Sequence, residues 1–344
     1  MTKSSQQIKS ISVVADGADW VLGWESRECM KACQRLGIST APSWHRFFRK
    51  DVAAFHLSQF DIANYPWMKL ANPSGFAWFH GLPGEGSEFI SMWEALKKNL
   101  KSIACLQVTN RKMKQELLNA GVPTKKVFDI PIGINTEIFW PQTPSSRGWF
   151  RRQYEIPERS FVIGSFQKDG VGWGAGKEPK LIKGPDIFVE VIKRIKNIIP
   201  HVFVLLSGPS RGYIKERLKN ENIPFQHVFI ANYPKIAELY QCLDAYLITS
   251  RVEGGPKAIL ESMASMVPII SSPVGQAEEI IKDQETGLLC PVGNIDLYVQ
   301  AVSWLSKNQA RAKTLKEEAY TACKKYDYVA MTSSYENMLK SLIA

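Results

Sequence analysis

The sequence predicts an α/β protein of two domains, each built on a parallel β-sheet. Short apolar runs typical of buried strands alternate with helical stretches, and this alternation favours parallel sheets covered by helices on both faces. A length of 344 residues is sufficient for two hydrophobic cores. A segment rich in proline and serine, residues 141–148, separates two alternating sets. We therefore expect domains over residues 1–141 and 142–327, followed by a terminal helix over residues 328–344.

Each set begins with an apolar run and continues as strands and helices in turn. In the first set we predict strands at residues 11–15, 60–63, 76–79, 103–108 and 127–130, and helices at 25–36 and 113–119. In the second set we predict strands at residues 161–164, 201–206, 228–230 and 245–248, and helices at 185–197, 211–219 and 234–242. Parallel sheets bind ligands beyond the carboxyl ends of their strands, so the loops there are candidate site segments.

The net charge of +10 allows three kinds of partner: nucleic acid, an anionic membrane or a phosphorylated substrate. Basic and aromatic residues alternate over residues 44–50, and basic residues recur over 111–114. The first stretch suits peripheral contact with an anionic membrane, and a solvated basic face is the alternative. No nucleic-acid-binding signature is present, so nucleic acid is not an expected partner.

Cysteine usage and hydropathy predict a cytoplasmic protein. Six scattered cysteines show neither metal-site nor disulfide spacing, which indicates free thiols. No apolar run approaches the roughly 20 residues that span a bilayer. The first residues also lack the apolar core of a signal peptide.

Two glutamates lie in the segment that follows the last predicted strand. Glu253 and Glu261 are eight positions apart, and Gly254, Gly255 and Pro256 lie between them. The glycines permit a tight turn, and proline suits the first position of a helix because no amide donor is needed there. A helix that starts at Pro256 would place Glu261 roughly 7–8 Å along its axis. Carboxylates at two depths suit a long ligand such as a nucleotide sugar, whereas a capping glutamate and a solvated glutamate are the alternative.

Residues 250–264 resemble the signature of the retaining glycosyltransferases of family 4, the glycogen-synthase-like glycosyl transferases of group 1. Other segments also resemble that family, and they are residues 266–281, 286–289 with Pro291, 130–135 and 139–141. The resemblance implies the GT-B fold, with two Rossmann-like domains whose parallel sheets face each other across a cleft and a C-terminal helix that crosses back to the first domain. It also implies transfer from a UDP- or GDP-sugar, with retention of anomeric configuration, to a glycan, lipid-linked or small-molecule acceptor.

The resemblance implies four residues around the reacting end of the donor. Lys183 matches a lysine that holds the diphosphate. Ser165 stands where the family commonly has an arginine, so we expect Lys168 to supply that charge. Glu253 is expected to hold the transferred sugar. His80 is expected to lie near the anomeric carbon, with a structural histidine as the alternative.

Other donor and acceptor contacts are expected from the same resemblance. Glu261 should accept hydrogen bonds from the ribose. Lys257 is expected either to contact phosphate or to be solvated. Pro256 lacks the amide donor that many family members have there. The remaining donor-binding residues are Gly17, Gly208, Gly254, Gly255 and Ala258, and the acceptor-side residues are Asp19, Trp20, Thr109 and Asn110.

Two further features concern the mechanism. No Asp-x-Asp pair stands where a metal would bridge a diphosphate, so we expect transfer without metal or cofactor. The glycine-rich insertion over residues 170–179 is expected to be either a flexible loop that closes over the donor or a disordered excursion.

Three alternatives stay open at this point. A sugar-nucleotide epimerase and a sugar phosphorylase would use the same fold for different chemistry. A non-catalytic binding protein with a decayed donor site is the third, and the missing arginine motivates it.

Overall fold

The computed structural model describes residues 7–15, 21–64 and 73–343. The chain divides into two compact units. The first comprises residues Met1–Gly133 together with Tyr328–Ala344, and the second comprises Ile134–Asp327. The boundary predicted after residue 141 therefore lies within the second unit.

The first unit contains a five-stranded parallel sheet with the strand order β1-β2-β3-β4-β5. Its strands are β1 (Ser10–Val14), β2 (Val52–His56), β3 (Ser74–Ala77), β4 (Ile103–Val108) and β5 (Val127–Asp129). Its first four described helices are α1 (Val21–Arg35), α2 (Asp61–Asn64), α3 (Ser87–Asn99) and α4 (Arg111–Asn119). Phe76, Leu106 and Val108 of the sheet pack with Met92 and Leu96 of α3 in one core.

The second unit contains a six-stranded parallel sheet with the strand order β11-β10-β9-β6-β7-β8. Its strands are β6 (Phe161–Phe166), β7 (Val202–Ser207), β8 (Phe225–His227), β9 (Ala245–Ile248), β10 (Ile269–Ser271) and β11 (Leu288–Leu289). Its helices are α5 (Pro144–Gln153), α6 (Pro185–Lys196), α7 (Gly212–Asn220), α8 (Ile236–Tyr240), α9 (Ala258–Ala264), α10 (Ala277–Ile280), α11 (Ile295–Lys307) and α12 (Gln309–Cys323).

Helices cover both faces of this second sheet. Successive strand residues alternate between two hydrophobic clusters: Val162 and Leu205 belong to one, and Ile163 and Val204 belong to the other. A strand buried on both faces reads as a continuous apolar run, which is why β6 and β7 were recognisable from sequence. The predicted α/β class with two parallel sheets is confirmed.

The last helix, α13 (Thr332–Ile343), packs within the first unit against α1 and β4. Arg35 of α1 donates from Nε to Thr332 Oγ1 at 2.8 Å, and the hydroxyl of Tyr328 donates to Glu25. The chain therefore leaves the first unit after Gly133 and returns to it at Tyr328, as the resemblance implied.

Three sequence-based expectations about elements are wrong. The strand predicted at residues 228–230 is absent there, and β8 lies at Phe225–His227 instead. Residues 60–63 were predicted as a strand, but α2 covers most of them and β2 lies at Val52–His56. The alanines of β2 weaken its apolar signal, whereas Phe60 and Ile62 mimic strand alternation. The predicted linker over residues 141–148 contains the start of α5, where Thr143 and Ser146 form a capping box and a proline occupies the first turn.

Among the described residues, no helix combines the length and the apolar character needed to cross a membrane. All six cysteines fall in the described part of the chain and are buried free thiols, as the sequence predicted.

Candidate functional site

The candidate site lies at the carboxyl end of the second sheet, where the loop before α6 meets the end of β9. Gly184 ends this loop with a φ of +63°. A Cβ atom there would lie 1.9 Å from the carbonyl oxygen of Thr249, so only glycine fits. Thr249 Oγ1 in turn donates to the Gly184 carbonyl at 2.8 Å. These contacts fix the backbone beside Lys183 against the loop that carries Glu253.

Lys183 and Glu253 form an ion pair, with 2.6 Å between Nζ and Oε2. The second carboxylate oxygen of Glu253 accepts from Ser250 Oγ at 2.9 Å. Gln167 Nε2 donates to the Lys183 carbonyl at 3.2 Å and holds the same turn from β6. The Lys183 side chain is 25% exposed and that of Glu253 is 12% exposed. The pair thus combines a cation that solvent can reach with a carboxylate at the end of a parallel sheet.

A second ion pair, between Arg251 and Asp186, stabilises this turn. Arg251 donates from both terminal nitrogens to the carboxylate of Asp186, at 2.8 and 2.7 Å, and to the Leu181 carbonyl at 2.6 Å. The hydrogen bond from Arg251 lowers the pKa of Asp186, so this carboxylate stays ionised. The bidentate geometry fixes the orientation of the two segments on either side of Lys183.

Glu261 lies in a different environment from Glu253. It is 6% exposed, and both of its carboxylate oxygens accept hydrogen bonds from tyrosines. Tyr240 donates its hydroxyl to Oε2 at 2.8 Å, and Tyr233 donates to Oε1. Burial, and then the negative charge of Glu261, raises the pKa of Tyr240 well above its usual range, so this phenol remains a donor.

The loop of residues 253–257 joins these two carboxylates. Helix α9 begins at Ala258, two residues later than predicted, and Lys257 precedes it. Lys257 is only 6% exposed, with its ammonium 5.3 Å from the ring centroid of Tyr233. The expectation of a solvated Lys257 is therefore wrong, because its side chain packs on that ring.

The glycines of this loop pack against the next turn of the chain. Gly254 accepts at its carbonyl from the Gln276 amide at 3.1 Å. Gly275, at a φ of +54°, approaches so closely that a Cβ would lie 2.3 Å from the Gly254 carbonyl oxygen. Gly255 and Pro256 follow, and the Pro256 carbonyl accepts from the Ile259 amide in the first turn of α9. The loop that was expected to hold a sugar is thus fixed by its neighbours.

Lys168 does not contact a carboxylate through any described hydrogen bond or ion pair; its Nζ lies 3.7 Å from the ring centroid of Trp173. Trp173 belongs to the glycine-rich insertion and is 68% exposed. This cation–π contact connects the loop after β6 to the insertion. The assignment of Lys168 to the diphosphate stays a prediction.

The insertion over residues 170–179 is hydrogen-bonded along its length, so the expectation of a disordered excursion is wrong. The carbonyls of Ala175 and Gly176 accept from the first amides of α7, Gly212 and Tyr213, each at 2.8 Å. Ser210 Oγ donates to two further carbonyls of the insertion at 3.1 Å. The insertion thereby caps α7, whose first amides would otherwise have no intrahelical partner.

A buried arginine contacts Ser165, which stands where the family commonly has an arginine. Arg211 is 1% exposed and donates to the carbonyl and the Oγ of Ser165, at 2.9 and 3.0 Å. Its Nη2 also lies 3.1 Å from the carboxylate of Asp169, and both side chains are fully buried. Burial raises the pKa of Asp169 to about 6, despite the opposing effect of the Arg211 charge. Arg211 holds the strand end and cannot reach a ligand in this arrangement.

Gly208 follows β7 with a φ of +88°, and its carbonyl lies 2.8 Å from His227 Nε2. A Cβ at this position would lie 3.1 Å from the Gln167 carbonyl. The loops after β6 and β7 therefore approach each other closely beside the candidate site.

The predicted residues of the first unit have mixed outcomes. His80 lies three residues beyond β3, where Gln59 donates to its carbonyl and the rings of Phe60 and Phe89 flank its imidazole, with centroids 6.2 and 5.8 Å away. Asn110 caps α4 by accepting from the Met113 amide at 2.8 Å. Thr109, which is buried, accepts from Asn110 Nδ2 at 3.2 Å. Gly17, Asp19 and Trp20 lie outside the described residues.

Several residues of the site were not identified from sequence. They share the property of being partners of the predicted residues, and they are Gln167, Asp186, Tyr233, Tyr240, Ser250 and Arg251. Only Ser250, three positions before Glu253, had a local signal, since a hydroxyl at that spacing commonly bonds within a turn.

Most residues of the candidate site lie in a segment that matches a family model. Residues 179–322 match the family model described as glycosyl transferases group 1. The α-galactosylglucosyldiacylglycerol synthase of Streptococcus pneumoniae is 26% identical over 293 residues, which are 80% of this chain and 73% of that protein. The N-acetyl-α-D-glucosaminyl L-malate synthase of Bacillus anthracis is 25% identical over 173 residues, 50% of this chain. The chain spans about half the length of this second relative, 45%.

A solved structure shares the fold over nearly the whole chain. Anabaena HepE in complex with UDP and glucose matches with a TM-score of 0.77 at 15% identity, over 97% of this chain and 100% of that one. At this identity the match shows the fold alone, and the similarity to the group 1 glycosyltransferases depends on the sequence match over residues 179–322. The chain therefore has the GT-B fold, and its residues 179–322 are similar to the group 1 glycosyltransferases.

Proposed function

We propose that this protein transfers a sugar from a nucleotide-sugar donor to a glycan, lipid-linked or small-molecule acceptor, with retention of anomeric configuration. The observation that carries the proposal is the ion pair between Lys183 and Glu253 at the carboxyl end of the second sheet. A nucleotide-sugar donor has a diphosphate, which a cation such as Lys183 can hold, and sugar hydroxyls, which a carboxylate such as Glu253 can accept hydrogen bonds from.

Lys183 is suited to hold the diphosphate because its side chain is partly exposed and a phosphate can replace Glu253 as its ion-pair partner. Negative charge grows on the diphosphate as the bond to the sugar breaks, and a fixed cation stabilises that charge. When the donor binds, phosphate oxygens replace Glu253 as the anion next to Lys183. Glu253 is then available to accept hydrogen bonds from the sugar.

Glu261 is suited to hold the ribose without losing its tyrosines. A carboxylate has about four acceptor positions, and Tyr233 and Tyr240 use one on each oxygen. The two tyrosines fix the orientation of the carboxylate, so that ribose hydroxyls meet an ordered acceptor. Amides of the loop over residues 254–258, Pro256 excepted, are proposed to complete the donor contacts, together with Gly208 and Lys168.

The chemical step that we propose needs no protein nucleophile. The bond between the anomeric carbon and the diphosphate oxygen breaks, and the acceptor oxygen bonds to that carbon on the same face. The departing phosphate oxygen takes the acceptor proton. Lys183 provides the positive charge at this oxygen, and we therefore propose that transfer requires no metal ion.

The donor is proposed to be a UDP- or GDP-sugar. Structures of Anabaena HepE have been determined with UDP and with UDP-glucose, which favours UDP as the first donor to try. A lipid-linked acceptor is supported by the name of the pneumococcal relative, a diacylglycerol glycolipid synthase. We propose that the protein acts in the cytoplasm.

The test is a binding and product screen with purified full-length protein. UDP-, GDP-, ADP- and dTDP-sugars are compared by calorimetry, with and without EDTA. Lys183→Gln should raise the Kd of the preferred donor about 10- to 100-fold, since a hydrogen bond to a charged group contributes about 1.5–3 kcal/mol. Lys219→Gln, which changes an exposed lysine of α7, is the matched control.

Product analysis separates the proposal from its alternatives. NMR coupling at the anomeric proton shows whether configuration is retained. An epimerised donor in the absence of acceptor would indicate an epimerase, and sugar phosphate formed with inorganic phosphate would indicate a phosphorylase. Donor binding without any product across the acceptor panel would favour a binding protein. Absence of donor binding, or binding that Lys183→Gln leaves unchanged, contradicts the proposed site.

A further inference from the structure

A cluster of exposed aromatic side chains lies in the first unit, on the short 3₁₀ helix Ser43–Phe47 and the residue after it. Trp44 is 58% exposed, Phe47 is 45% exposed and Phe48 is 80% exposed. We refer to residues 43–50 as the aromatic turn. Single exposed apolar residues are ordinary on protein surfaces, but contiguous apolar patches mark interaction sites.

The three rings form one continuous surface. The ring centroids of Trp44 and Phe48 are 6.4 Å apart, and those of Phe47 and Phe48 are 6.5 Å apart, with edge-on geometry in both pairs. The indole of Trp44 also contacts the His45 ring edge-on at 4.1 Å. The rings therefore present a common apolar surface to solvent.

The backbone of the aromatic turn is fixed by the fold. The amides of Phe48 and Arg49 donate to the His45 carbonyl at 3.1 and 2.8 Å, and Ser12 Oγ of β1 donates to the Pro42 carbonyl at 3.3 Å. Arg46 reaches His56 at the end of β2, with 3.4 Å between the nitrogens. The turn packs on β1 and β2, so the fold holds the rings outward.

Positive charge surrounds the rings. The guanidinium carbon of Arg46 lies 4.6 Å from the Phe47 ring centroid, and Arg49 and Lys50 follow on the exposed side. Within residues 43–51 the one carboxylate, Asp51, accepts two hydrogen bonds from Arg49, at 3.0 and 2.8 Å. Three cations against one carboxylate leave the patch positively charged, as the whole chain is.

We propose that the aromatic turn is a docking surface for an anionic lipid bilayer. Tryptophan and phenylalanine insert at the level of the lipid headgroups, and flanking arginine and lysine pair with anionic headgroups. Each cation near such a surface strengthens binding about fivefold at moderate ionic strength. Charge complementarity selects lipid over a neutral apolar partner. The inference does not depend on the donor site, because its residues and contacts are separate.

The test is co-sedimentation of the full chain with sucrose-loaded vesicles. Vesicles of phosphatidylcholine alone are compared with vesicles of equal parts phosphatidylcholine and phosphatidylglycerol. The protein should bind the anionic vesicles, and added salt should weaken binding. Trp44→Ser with Phe48→Ser should lower the partition coefficient on the order of tenfold or more. Arg49→Gln with Lys50→Gln should also lower it on the order of tenfold.

Matched variants separate this surface from general charge and from folding. Trp149→Ser removes a tryptophan of the second unit that is 63% exposed, and Lys97→Gln with Lys98→Gln removes two exposed cations of α3. These controls should leave vesicle binding unchanged, and all variants should keep the thermal unfolding midpoint of the parent.

Failure to bind anionic vesicles, or equal losses in the controls, overturns the proposal. A dimer that only the Trp44/Phe48 variant abolishes, with vesicle binding retained, would identify a second copy as the occupant and overturn it equally.

Discussion

The carboxylate of Glu253 lies 2.6 Å from the ammonium of Lys183, and the amides of Arg251 and Val252 donate to the Ile182 carbonyl at 2.8 and 3.2 Å. Lys183 precedes α6, the helix that follows β6, and Glu253 follows β9. These two strands are neighbours in the sheet. The ion pair thus lies beside the carboxyl ends of two neighbouring strands, where we propose that the donor places its diphosphate. The two partners should then respond differently to substitution.

Glu253→Gln tests this difference. The amide keeps the shape of the side chain but no longer competes for the Lys183 ammonium, so the Kd for UDP should stay the same or fall. Turnover with the complete donor should decrease about 10- to 100-fold, because a charged acceptor for the sugar is lost. Calorimetry with UDP and a product assay measure the two effects, with Glu278→Gln of α10 as the control. A parallel loss of UDP affinity and turnover would show that Glu253 serves the diphosphate end and would contradict the proposed role.

Gly184→Ala should disrupt the site through the backbone. Alanine at a φ of +63° costs about 1–2 kcal/mol, and its Cβ would lie 1.9 Å from the Thr249 carbonyl. The turn must shift, so we expect a loss of at least about 2 kcal/mol in unfolding free energy and a weaker affinity for the donor. Denaturant unfolding and calorimetry measure both. Gly174→Ala is the control, since no heavy atom lies within 4 Å of a Cβ there; similar effects in the two variants would refute the close-packing explanation.

Tyr240→Phe should destabilise the protein through Glu261. The hydroxyl of Tyr240 is completely buried, and its removal leaves Oε2 of Glu261 without that donor. A buried acceptor that loses its partner costs about 1–3 kcal/mol. The thermal unfolding midpoint should fall accordingly, whereas Tyr213→Phe, at a half-buried tyrosine of α7, should have little effect. An unchanged midpoint in Tyr240→Phe would mean that Glu261 obtains another donor.

The resemblance to family 4 implied that Lys183 and Glu253 belong to one site, and the structure brings the two side chains together. Sequence reasoning could also predict the sheet itself, since β6, β7 and β9 are nearly continuous apolar runs. It could not predict the tyrosines that hold Glu261. Tyr233 and Tyr240 precede Glu261 by 28 and 21 positions and reach it only after the chain has folded.

The insertion over residues 170–179 shows why local composition misleads. Its glycines suggest a flexible backbone, because glycine tolerates many backbone conformations. In the structure, two of these glycines instead let the insertion pack closely against the backbone of Ser210. A Cβ on Gly170 or Gly176 would lie 2.4 or 2.2 Å from the Ser210 carbonyl oxygen. The amides of α7 that hold the insertion are more than 30 positions away, and no local pattern indicates them.

Asp169 provides a prediction about pH. Its carboxyl is fully buried beside Arg211, and burial raises its pKa from 3.8 to about 6. The folded protein therefore holds this proton more tightly than the unfolded chain does. The resulting stabilisation is complete below about pH 4 and is lost as pH rises through about 6, by about 3 kcal/mol at most.

Asp169→Asn removes this titration. Between about pH 4 and pH 7 the unfolding free energy of the parent should fall relative to that of the variant. Denaturant unfolding at a series of pH values measures the difference, with Asp296→Asn as an exposed carboxylate control. Parallel pH profiles for the parent and Asp169→Asn would show that Asp169 is already ionised in the fold at low pH, and that the Arg211 charge outweighs its burial.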